Sequence, residues 1–324
     1  DNDIIYGDVL FTDELADLHG LTTDNGSGWE VFERLENGES TTHAGWSRED
    51  TISYIRSNLI ELAQESETPD DDGRDGGDDV INGGAGNDTA DYADSTGWVN
   101  ISLASGYTGG GGGSHAIGDP FVSIENLTGS NYHDRLSGND GANRLSGLDG
   151  NDILRGRGGA DILQGYLGSD AADYADSAAW VNVSLLTGFT GGGLGSHAIG
   201  DTFSSIENLI GSAFADTLTG DTNDNTLSGG DGNDVFYGGA GADTIIGGDG
   251  DDRADYSNSD SGVAIRLWNG TGLGGHAEGD SLTSIERVIG SQFADLLVGR
   301  NGLRDTLIGG DGDDFIIGGA AIIS

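Results

Sequence analysis

Between Gly229 and Asp252 the chain reads GGDGNDVFYGGAGADTIIGGDGDD, a pattern with a period of nine. Two glycines open each unit. An Asp follows at the sixth place (Asp234, Asp243, Asp252) and a core residue two further on (Phe236, Ile245, Ala254). Glycine-rich turns allow positive φ and close backbone approach. A short x-apolar-x segment is a minimal strand with one inward side chain. Nine residues therefore make half a coil of a flattened solenoid, and eighteen return the chain one rung, ~4.8 Å along the axis.

This geometry stacks Asp234 under Asp252. Two such carboxylates repel by about 3–4 kcal/mol at an effective dielectric near 20. A calcium ion, with oxygen ligands at ~2.4 Å on each side, spans the gap. The spacing thus predicts a repeat that needs the ion to fold.

The same nonapeptides resemble GGxGxDxUx, the calcium-binding repeat of the RTX family of secreted proteins. That resemblance implies a right-handed parallel β-roll, an all-β solenoid with calcium in the turns between rungs. It also implies export through type I secretion machinery, with folding outside the cell. The remaining 64-residue insert (GDVLFTDELADLHG…GSGWEVFERLE…YIRSNLIELAQES) is similar to a helical segment interrupting RTX repeats in large type I-secreted adhesins.

In chain order, residues 1–8 read as the end of a preceding repeat, with Asp3 in the ligand position and Ile5 in the core position. Residues 9–72 form the insert. Ser47-Arg48-Glu49-Asp50 resembles a capping box ahead of a stripe of Ile52, Ile55, Leu59 and Leu62 at helical spacing. Shorter helices are expected over Trp29–Glu36 and around Thr12–Leu18. The insert reads as a helical cap. Residues 73–324 read as the roll, with nonapeptide runs near 74–91, 129–173, 211–255 and 290–319.

A second unit separates the runs. It begins at Ala90-Asp91-Tyr92, Ala172-Asp173-Tyr174 and Ala254-Asp255-Tyr256, a recurrence of 82 residues. Each copy continues with an alternating strand (Val99/Ile101/Leu103 in the first), a glycine-rich turn up to His115, His197 or His276, then Gly-Asp and Ser-Ile-Glu. The alanine in place of a large core residue suggests that the roll narrows or bends there. The linking units resemble those of secreted mannuronan epimerases, where they continue the roll.

The ligand position is filled by Asp79 and Asp88, by Asp134, Asn143, Asp152, Asp161 and Asp170, by Asp216, Asn225, Asp234, Asp243 and Asp252, and by Asp295, Asp305 and Asp314. One extra residue near Leu303–Arg304 breaks the last phase. Asp149, Asp231, Asp249 and Asp311, at the third place, are expected to add to the shell with turn carbonyls. The neutral Asn143 and Asn225 should make weaker sites. Asp3 is a further candidate, and so are the linking-unit acids Asp119, Asp201, Asp280, Glu125, Glu207 and Glu286, for which calcium ligation and turn hydrogen bonding are equal alternatives. Oxygen-only donors and the absence of cysteine disfavour soft metals.

A net charge of −43, with 13 arginines and no lysine, argues against nucleic-acid binding. No run is long enough to span a membrane as a helix. No Ser/His/Asp set, nucleophile elbow or HExxH is present, so no enzymatic role is expected. The chain without Met reads as a fragment or processed product. Its expected place is a secreted or surface-attached RTX protein binding several calcium ions, with surface glycans or other copies as possible partners. The alternatives are a carbohydrate-binding accessory module of a polysaccharide-modifying enzyme, or the non-catalytic tail of an RTX protease or lipase.

Overall fold

The computed structural model of this chain describes residues 4–6 and 81–318. Helical expectations for 9–72, and the candidate ligands Asp3 and Asp79, lie outside them. Most strands are three residues long, as one inward side chain per half-coil requires. They stack in parallel at an interval of eighteen. Leu136 pairs with Leu154, Leu127 with Leu145, Leu145 with Leu163, and Leu227 with Ile245. These side chains are essentially inaccessible to water. Alternate half-coils enter opposite faces. A 13-stranded sheet carries Leu136, Leu154 and Ala172, whereas six- and seven-stranded sheets carry Leu127, Leu145 and Leu163, and Leu218, Phe236 and Ala254.

The architecture is the all-β roll expected. Among the described residues the only helix is one 3-10 turn, Gly275–Ala277. Ile4–Tyr6 pairs in parallel with Thr89–Asp91, placing Ile5 opposite Ala90.

Each linking unit departs from the purely parallel pattern. Val99–Ser102 and Tyr107–Gly110 form an antiparallel hairpin, as do Val181–Ser184 with Phe189–Gly192 and Ala264–Arg266 with Thr271–Leu273. The expected glycine-rich turn thus begins as the second strand of the hairpin and continues as a turn. Glycine is needed there because the hairpin is tight. A Cβ on Gly111 would lie 2.5 Å from Trp98 Nε1, and one on Gly193 2.8 Å from Trp180 Nε1. The indoles cover bare backbone, which accounts for their recurrence by packing.

The first strand of each hairpin joins the parallel stack: Ile101 pairs with Leu136, Val183 with Leu218 and Ile265 with Leu297. The first and third hairpins belong to the 13-stranded sheet and the second to the seven-stranded sheet. Each half-coil switches faces, and five ligand positions separate successive linking units. An odd number puts the next hairpin on the opposite face.

The changeover alanines have a packing reason. Ala90, Ala172 and Ala254 are fully buried, and so are Tyr92, Tyr174 and Tyr256 two residues on. Residues i and i+2 face the same side of a strand. The small side chain makes room for the ring, and the ring carries a hydroxyl into the interior.

Candidate metal centre in the carboxylate ladders

The turn aspartates form ladders along the roll. The Asp134 N–H donates to Asp152 Oδ1 (2.7 Å), and the Asp152 N–H to Asp170 Oδ1 (2.8 Å). The Asp170 N–H then donates to Glu207 Oε2 (2.9 Å). The next block repeats this with Asp216, Asp234, Asp252 and Glu286, at 2.7, 2.8 and 3.1 Å. On the other side Asn143 donates to Asp161 and Asp161 to Asp201, while Asn225 donates to Asp243 and Asp243 to Asp280. The eighteen-residue spacing is thereby used twice, by core and by ladder.

One oxygen of each middle carboxylate is left over. The Oδ2 atoms of Asp152, Asp161, Asp170, Asp234, Asp243 and Asp252 are buried and have no hydrogen-bond partner. A buried, unpaired charge is costly unless a counter-charge reaches it. Those of Asp170, Asp234 and Asp252 converge with a backbone carbonyl over the first glycine of their own repeat. The Cβ position of Gly229 lies 2.7 Å from the Gly247 carbonyl oxygen and nearer still to Asp234 Oδ2. That of Gly247 lies 2.5 Å from Asp252 Oδ2 and nearer still to the Ser284 carbonyl oxygen. Glycine keeps open a cradle lined by oxygen. The donors suit a hard cation such as calcium. Among the described residues no three His, Asp or Glu side chains gather as a metal-holding group. Carbonyls must therefore complete any shell. Asp149, Asp231 and Asp249 are exposed, and Asp231 stacks in register with Asp249.

The charge conflict appears in the proton affinities. Burial, with like-charged neighbours adding to it, pushes Asp152 and Asp234 up to about 7. Burial likewise raises Asp161 and Asp243 to about 7 and Asp170 to about 6. A carboxyl held above its ordinary value of 3.8 binds more protons in the folded than in the unfolded chain. Its contribution is therefore full below about pH 4 and lost as pH rises through about 7. Calcium-free protein should hold β structure and show a melting transition at pH 5, and lack both at pH 8. With saturating calcium the order of stability should reverse, because protons compete for the same oxygens. Thermal melts at the two pH values, with and without calcium, measure both signs.

The ladder ends differ from the middles. Asp134, Asp216 and Asp295 come first. Each Oδ1 accepts a main-chain N–H from Val99, Val181 or Val263 and a hydroxyl from Ser130, Ser212 or Ser291, all between 2.7 and 2.8 Å. In the linking units, Asp119, Asp201 and Asp280 accept Tyr92, Tyr174 and Tyr256 hydroxyls on Oδ2 at 2.8, 2.8 and 2.7 Å. There a phenol stands where a middle Asp has an open oxygen. Spacing alone left these residues undecided; the buried Ala-Asp-Tyr triplet was the available signal. Glu125, Glu207 and Glu286 accept the N–H of Asp88, Asp170 and Asp252. Asp314 accepts the N–H of Asp295 (3.0 Å) and is part-exposed, and Asp311 is exposed. The recurrent histidines are tied through their backbone: the N–H groups of His115, His197 and His276 donate to Ser95, Ser177 and Ser259 Oγ.

A parallel solenoid with carboxylate ladders and oxygen-lined glycine cradles defines a cation-binding β-roll. A family model of the RTX calcium-binding nonapeptide repeat, four copies long, matches residues 75–92, 128–163, 137–171, 201–236, 219–254 and 301–321. These segments are RTX repeats, and calcium is the ion that the family implies. A comparison with curated proteins finds no match.

Proposed function

We propose that the chain is a non-catalytic, calcium-triggered structural segment of a secreted or cell-surface protein, an adhesin-like substrate of type I export. The six buried Oδ2 atoms without partners support this reading most. They make the compact state costly where calcium is scarce, as inside a cell, and favourable where it is abundant. Binding and folding are then one equilibrium. A chain of this kind passes an export channel unfolded and closes outside. Residues 73–324 form the roll in this reading, and residues 9–72 cap it. The carbohydrate-module alternative draws on a surface groove lined by Arg135, Arg155 and Arg157 together with Asp173, where Arg155 pairs with Asp173 and Arg157 with Asp176. Titration with an acidic oligosaccharide in calcium separates it from a purely structural roll.

Calorimetric titration tests the ion. Calcium should bind at several sites with midpoints of roughly 0.1–1 mM, the range of extracellular modules. Magnesium should fail to substitute, because it dehydrates reluctantly and demands near-octahedral geometry. Equal heats for the two ions, or none for calcium, would remove the proposal.

A further inference from the structure

We propose that Arg300 is a resident counter-ion that takes the place of calcium between Glu286 and Asp305, and that the rung after each Ser-Ile-Glu closes without metal. This rests on calcium occupying the open middle turns. Register makes Asn143, Asn225 and Asp305 equivalent, since Arg144, Thr226 and Thr306 pair with Asn126, Asn208 and Arg287.

In the first two copies the ligand position is a neutral amide. Asn143 Nδ2 donates to the Glu125 carbonyl oxygen and Asn225 Nδ2 to that of Glu207, both at 2.7 Å. Their Oδ1 atoms accept the N–H of Asn139 (2.8 Å) and Asp221 (2.7 Å). No oxygen is left charged. In the third copy the position is an acid, and the equivalent of Asn139 and Asp221 is Arg300. Its N–H donates to Asp305 Oδ2. Its Nε and Nη2 donate to Asp305 Oδ1 at 3.0 and 2.6 Å, and Nη2 also reaches Glu286 Oε1 at 3.1 Å. Both Asp305 oxygens are engaged, unlike the middle aspartates. The guanidinium fork suits this because it serves two carboxylates at once. The inserted residue that breaks the nine-residue phase lies between Arg300 and Asp305. Two chemistries, Asn or Asp with Arg, thus neutralise the same rung.

Hydrogen-exchange mass spectrometry on the full chain, at stepped calcium, tests this. Arg300→Gln should raise the calcium needed to protect residues 287–308 roughly tenfold, the scale of a charge-assisted bond. Residues 226–246 should keep their midpoint. The double variant Arg300→Gln with Asp305→Asn rebuilds the amide arrangement and should return the midpoint to its original value, even if the single variant does not fold. An unchanged midpoint in Arg300→Gln, or no rescue by the double variant, overturns the proposal. Protection that ignores calcium in both segments would overturn the calcium reading and this one together; a loss confined to 287–308 separates the two.

Discussion

Removal of calcium at pH 7.5 is expected to abolish the β-sheet circular dichroism of residues 81–318, and its return to restore it. The Asp134–Asp152–Asp170–Glu207 ladder places four acids on successive rungs. Its three neighbouring pairs, each opposed by about 3–4 kcal/mol, sum to about 10 kcal/mol at an effective dielectric near 20. That is comparable to the whole stability of an ordinary domain, about 5–15 kcal/mol. The core opposing it is thin, because each half-coil buries one large side chain, worth about 1.5–3 kcal/mol. Because burial pushes Asp152 up to about 7, protonation relieves part of the repulsion, but at pH 7.5 most of it remains. Solenoid stability is carried by neighbouring repeats. Loss of the two central blocks should therefore spread. A full β signal after exhaustive calcium removal at this pH would refute the account.

The second large effect is expected from Gly247→Ala. The new Cβ would lie 2.5 Å from Asp252 Oδ2 and closer still to the Ser284 carbonyl oxygen. One of these atoms is main chain and cannot rotate aside. The methyl both overpacks the turn and fills the oxygen-lined cradle. Overpacking alone costs about 1–3 kcal/mol. Loss of a cation site adds to it, so the calcium midpoint for folding should rise as well. Gly112→Ala is the control, since nothing lies within 4 Å of its Cβ position. Calcium titrations of both variants followed by circular dichroism decide the matter. Equal midpoints would show that the cradle does not hold the ion.

The two effects depend on different readings of the same repeat. The nine-residue phase made the roll legible because one spacing serves three roles: glycine at the turn, Asp in the ladder, an aliphatic residue inside. Leu136 over Leu154 and Asp134 beside Asp152 follow from eighteen residues per rung. The linking units were only half legible. Val181 and Val183 show a strand, but nothing in a run of glycines tells a turn from the returning strand Phe189–Gly192. The lone acids of these units were ambiguous because a carboxylate in a turn looks the same whether it faces a cation or a tyrosine hydroxyl.

By itself, then, the sequence determined the solenoid, its rung length and its need for positive charge, because those depend only on local periodicity. It also determined where the pattern changes, at Ala90, Ala172 and Ala254. Tertiary structure alone decided which carboxylates remain open. Asp201 meets Tyr174 across 27 residues, and Glu286 meets Arg300 across 14. It also put successive hairpins on opposite faces. These outcomes depend on which residues the coil brings together in space, and a repeat read one unit at a time carries no record of its distant partner.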